Sequence, residues 1–130
     1  MNTFGFWLLP PKNIQAEYQE IIDKYSKKLD SPSFEPHITV LDVVTGDKED
    51  IIQKVKAVVS TYKSIHIAFT DISISTTYHH GDISSSEKSK IADEITLNTT
   101  NFKADRLCIV NADNLDPKTW LHVSEFELSN

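Results

Sequence analysis

A chain of 130 residues with 39% hydrophobic side chains has the length and apolar content for one domain, residues 1–130, with a real core. Nineteen acidic against thirteen basic residues leave a net charge of −6, and Arg106 is the only arginine. That balance excludes a duplex DNA or RNA binder, whose phosphates are met by many lysines and arginines, but leaves room for a small nucleotide needing one local pocket.

No apolar run reaches the length of a membrane span. The opening MNTFGFWLLPPK has no basic region ahead of its short apolar run, unlike a secretory leader. The lone Cys108 has no partner for an intramolecular disulfide. Together these features point to an intracellular, cytoplasmic location.

In chain order, Phe4 to Leu9 reads as a short strand stopped by Pro10 and Pro11. A helix follows with Asn13 as its expected N-cap, and Ile14, Tyr18, Ile21, Ile22, Tyr25 and Leu29 fall at 0, +4, +7, +8, +11 and +15, one helical face. Ser31–Pro32–Ser33 is a loop before the strand FEPHITVLDVV. Thr45 to Asp47 turns into a second helix, about Lys48 to Ser60, with Asp47, Glu49 and Asp50 at its electropositive start.

From Ser64 the pattern is strand-like but slips. Ile65, Ile67 and Phe69 share one parity, Ile72 and Ile74 the other, so a bulge or a second strand is expected near Thr70–Asp71. Ser84 and Glu87 form a capping box for a surface helix running to about Ile95. Arg106 to Asn111 is a strand and Asp113 to Pro117 a turn. In the last strand, Trp120 to Leu128, strict alternation puts Trp120, His122, Ser124, Phe126 and Leu128 on one face. The order β-α-β-α-β-(β)-α-β-β predicts an α+β fold, a mostly antiparallel sheet with helices packed against it.

The chemistry gathers at His37 and Thr39. Pro36 opens the strand, and side chains two apart share a face, so an imidazole and a hydroxyl stand side by side. That pair is half of a phosphate site, expected to look into a polar hollow wide enough for a PO4 group. An isolated His-x-Thr also fits a strand histidine with no chemical task. His66 lacks a hydroxyl two residues on and reads as structural or exposed. His79 and His80 precede Gly81 in a loop. His122 and Ser124 spell a second His-x-Ser, and Cys108 reads as a core thiol. No CxxC, His-Glu-x-x-His or glycine-rich loop is present, so neither a metal nor a cofactor is expected.

Two stretches, FGFWLLPP with SPSFEPHITV and TTYHHGDISSSEKSKIADEI with FKADRLCIVNADNLDPKTWLHVSEFEL, resemble the cyclic phosphodiesterases of the two-histidine (2H) phosphoesterase superfamily. The resemblance implies a two-lobed, pseudo-symmetric fold in which each lobe gives one His-x-Thr/Ser to a central cleft. It implies metal-independent opening of 2′,3′-cyclic nucleotides or ADP-ribose 1″,2″-cyclic phosphate. The first motif carries over onto His37 and Thr39. Aligning Tyr78 with the family's strand tyrosine puts the second hydroxyl on Ser75 and the second histidine on Ser73. Ser75 and Tyr78 are then the expected substrate-binding residues, and His122 with Ser124 the alternative second pair.

The chain is also shorter than its relatives near the slip at Phe69–Ile72. A truncated middle leaves a sheet edge open to pairing, which admits a homodimer. Three readings stay open: a cyclic phosphodiesterase, impaired by the missing histidine; a degenerate 2H fold that binds a nucleotide or a protein partner; and an unrelated α+β interaction domain.

Overall fold

The computed structural model describes residues 2–70, 84–114 and 120–129. Strand β1 (Asn2–Leu9) leads through the two prolines into helix α1 (Lys12–Lys28). Pro11, at φ −54°, holds the N-cap position, and its carbonyl accepts the Gln15 N–H at 2.8 Å. The proline-locked backbone starts the helix without a side-chain cap, so Asn13 lies inside the first turn and not at its boundary. An extended segment, 31–37, precedes strand β2 (Ile38–Gly46). Helix α2 (Lys48–Val59) is capped by Asp47, whose carboxylate accepts the Asp50 N–H.

Strand β3 (Ile65–Ala68) ends just before the slip in apolar phase, and residues 71–83, where a further strand was expected, lie outside the described residues. Helix α3 (Ser85–Glu94) has the expected Ser84 cap, with the Ser84 hydroxyl accepting the Glu87 N–H. Strand β4 (Asn101–Ala104) was not legible in the sequence. It is only four residues long, yet Phe102 and Ala104 are buried while Asn101 and Lys103 face solvent. Strands β5 (Arg106–Asn111) and β6 (His122–Glu127) complete the chain.

Among the described residues the strands form a four-stranded sheet in the order β2-β1-β5-β6 and a two-stranded sheet β3-β4, with each strand pair antiparallel. This is the α+β architecture that the sequence predicts. One face of the larger sheet carries Phe4, Leu8 and Ile109, which pack with Tyr18 of α1, Ile51, Val55 and Val59 of α2, and Phe102 of β4. Tyr18 donates its hydroxyl to the Thr99 carbonyl at 2.8 Å, and burial, then the Glu17 carboxylate, holds its proton more tightly than usual. The opposite face carries Trp7, Leu9, Cys108 and Val110, with Trp120 against them. Strand β2 forms an outer edge, and its Val40, Leu41 and Val43 are exposed. Among the described residues, no helix is long and apolar enough to cross a membrane.

Candidate active site

One row of residues crosses the second face of the larger sheet. Thr39 pairs with Trp7, Trp7 with Cys108, and Cys108 with Glu125. Residues directly opposite in a sheet share a face. His37 joins this face just ahead of β2. Its ring stacks on the Trp7 indole, with centroids 3.7 Å apart and planes 12° apart, and Phe34 meets it edge-on at 6.1 Å. The strand expected to open at Pro36 begins only at Ile38, so His37 lies just before it and Thr39 within it, and both meet Trp7.

The His37 ring is oriented by its own loop. Nδ1 lies 2.6 Å from the Glu35 carbonyl oxygen. A carbonyl can only accept, so Nδ1 carries the proton, and a neutral ring held this way has its lone pair on Nε2. Pro36, buried between the two residues, limits the conformations of that link.

Glu35, which the sequence reading passed over, joins both histidines. Its backbone holds His37, and its side-chain Oε1 lies 2.5 Å from His122 Nε2. The second oxygen, Oε2, accepts from Gln15 Nε2 at 2.8 Å. Gln15 Oε1 accepts from Arg106 Nη2 at 3.2 Å, and the same guanidinium donates to the Pro10 carbonyl at 2.7 Å. Arg106 Nη1 stands 3.8 Å from Glu125 Oε1, and Glu125 Oε1 is 2.9 Å from His122 Nδ1. The lone arginine therefore ties the start of α1 to β5 and β6. The only signal for Glu35 was its place inside FEPHITV.

His122 does not share a face with Ser124. His122 pairs with Val110 and Ser124 with Ile109, across a register shift at Ile109/Val110. Val110 and Ile109 belong to opposite faces of the sheet, so a β-bulge separates the two side chains that strict alternation had put together. Both ring nitrogens of His122 instead face carboxylate oxygens, Glu35 on one side and Glu125 on the other. Ser75 and Tyr78, with Ser73, His79 and His80, lie outside the described residues.

The cavity beside His37 has a volume of about 240 Å3. Tyr18, Ile22, Phe34, Phe69 and Phe102 are among the side chains that wall it. These walls are hydrocarbon, whereas a polar hollow was expected there. His37 sits at the junction between that apolar recess and the polar chain running through Glu35.

Cys108 is fully buried. Burial first, then the charges of Glu125 and Glu35, push its thiol from the ordinary 9.0 up to about 12, against a smaller opposing pull from Arg106. The folded protein should therefore resist thiol alkylation at pH 8 and react only on unfolding. The sign of the linked stability follows. Above pH 9.0 the unfolded thiol ionises while the folded one keeps its proton until about pH 12, so stability falls across that window. Urea unfolding at several pH values should show a steeper alkaline loss for the parent chain than for Cys108→Ala; equal slopes would contradict it.

A family model described as cyclic phosphodiesterase-like protein matches residues 1–105. No curated protein matches the chain.

Proposed function

The chain belongs to the cyclic phosphodiesterase-like family, and we propose that it opens a ribose cyclic phosphodiester, a 2′,3′-cyclic nucleotide or ADP-ribose 1″,2″-cyclic phosphate, to a phosphomonoester by histidine acid–base catalysis. The observation that carries this reading is the His37 ring, pinned by the Glu35 carbonyl at 2.6 Å and stacked on Trp7. A ring so held offers Nε2 as the proton acceptor. Its work is to take a proton from water as the water oxygen bonds to phosphorus and the bond to the ribose oxygen breaks, that oxygen taking its proton from solvent because Ser73 stands at the second-histidine position. The Thr39 hydroxyl, on the same face, is assigned the non-bridging oxygens, where charge builds in the transition state.

Glu35 and His122 are positioning residues, since the His122 contact at 2.5 Å and the Gln15 contact at 2.8 Å fix the Glu35 residue that orients His37. The apolar recess suits the base or sugar of the substrate, with the phosphate at its rim beside His37. Ser75 and Tyr78 are assigned to substrate binding on the resemblance alone.

Ser73 stands where the resemblance puts the second histidine. Loss of one acid–base group costs about 10²–10⁴-fold, so the enzyme should be slow. That serine also favours a second reading, a degenerate fold that binds a nucleotide or a protein partner without turnover. The two are separated by incubating purified protein with 2′,3′-cyclic AMP and with ADP-ribose 1″,2″-cyclic phosphate and resolving the products by chromatography. Slow release of one monoester, accelerated in Ser73→His, supports hydrolysis. Saturable binding with no product from the parent or the Ser73→His chain assigns the protein to the second reading.

A further inference from the structure

We propose that Cys108, His122 and Glu125 form a binding site for one thiophilic divalent cation of the zinc class. The Cys108 thiol sulfur, a His122 ring nitrogen and a Glu125 carboxylate oxygen all lie within 4.8 Å of one another. They converge because Cys108 and Glu125 pair directly across β5 and β6, and because the bulge turns His122 onto their face. Cys108 stands two strands from Thr39 in the β2-β1-β5-β6 order. The site shares His122 and Glu35 with the network that positions His37, so its test reads metal uptake directly and not turnover.

Each donor is a type zinc takes, a sulfur, an imidazole nitrogen and a carboxylate oxygen, and three protein ligands leave a fourth tetrahedral position for water. The surroundings fit as well. A metal-ligating histidine usually gives its second N–H to a carboxylate, which fixes the ring and leaves the other nitrogen for the ion. Glu35 Oε1 stands 2.5 Å from His122 Nε2 in that outer position, and Gln15 steadies the other Glu35 oxygen at 2.8 Å. His122 Nδ1 is thereby aimed at Glu125 Oε1, 2.9 Å away.

The buried thiol makes a long hydrogen bond, 3.7 Å, to the Ile109 carbonyl. The side chains of His122 and Glu125 are 33% and 42% exposed, so two of the three ligands face solvent while the thiol lies buried beneath them. Charge balances on binding. The thiol proton and any proton on His122 Nδ1 leave to solvent, and the thiolate and the Glu125 carboxylate match the two positive charges of the ion. The ligands are separated as Cys108, His122 and Glu125, with no short thiol repeat, which is why no motif in the sequence marks them.

The test is a Co²⁺ titration of the untagged chain after treatment with a chelator, followed by absorbance. The expected result is one equivalent bound, with a near-ultraviolet thiolate-to-cobalt charge-transfer band and the intense visible bands of tetrahedral cobalt, all erased by one equivalent of Zn²⁺. His122→Ala and Glu125→Gln, at exposed positions, should abolish or strongly weaken the band while the circular dichroism of the fold is kept. Glu35→Gln should weaken binding about 10–100-fold, the usual worth of an outer-shell partner. Cobalt binding without a thiolate band, a band unchanged in His122→Ala, or no saturable uptake of either ion would overturn the proposal.

Discussion

Replacing His37 with alanine should lower turnover of a ribose cyclic phosphate by about 10²–10⁴-fold, the usual contribution of one acid–base side chain. The loss should fall on kcat, because the imidazole acts as protons move and not mainly in substrate binding. The fold should survive. His37 is only half-buried, and the packed faces on either side of the sheet are built from other side chains. Steady-state assays beside near-ultraviolet circular dichroism separate the two effects. Equal rates for His37→Ala and the parent would remove this residue from the chemistry. Thr39→Val should give a smaller loss in the same direction, since it removes one hydrogen-bond donor to the phosphate oxygens.

The largest stability effect is expected at Trp7. This side chain is 2% exposed, stacks on His37 at 3.7 Å and meets Trp120 at 5.7 Å. It lies between Thr39 on one side and Cys108 on the other in the strand register. Trp7→Ala removes a large buried ring from the centre of that face and leaves a cavity, at a cost of about 3–5 kcal/mol. Urea unfolding should show this as a lower midpoint, with Trp7→Phe in between because a six-membered ring still supports the imidazole. A change below about 1 kcal/mol for the alanine variant would mean that the face is not a packed core. The variant should lose activity beyond its loss of folded protein, since His37 then has no platform.

The legible part of this fold follows regular periods. Ile14, Tyr18 and Ile22 mark α1 and Ser84 caps α3 as expected, because helical spacing and capping chemistry are local, while Asp47, read only as charge at the start of α2, also caps it. His37 and Thr39 were found for the same reason: two residues apart on a strand means one face, and Trp7 meets both. The illegible parts are non-local or irregular. Strand β4 is too short to show a period. The bulge that separates His122 from Ser124 is an interruption of alternation, and nothing in HVSEFE announces it. Pairing Glu35 with His122 closes 87 residues of chain. That contact exists only once the β2-β1-β5-β6 order has brought the segment before β2 to the start of β6. Asn13 failed as a cap because Pro11 already supplies the backbone geometry that a cap provides.

The measurement closest to the centre of this account is the long-range ¹H–¹⁵N spectrum of the histidine rings, with His37 assigned by its loss in His37→Ala. At neutral pH the His37 signals should show the proton on Nδ1 and the lone pair on Nε2, and added 2′-AMP or 3′-AMP should shift Nε2 most strongly. A His37 ring protonated on Nε2 and bare on Nδ1, or one indifferent to either nucleotide, would contradict the role assigned to it.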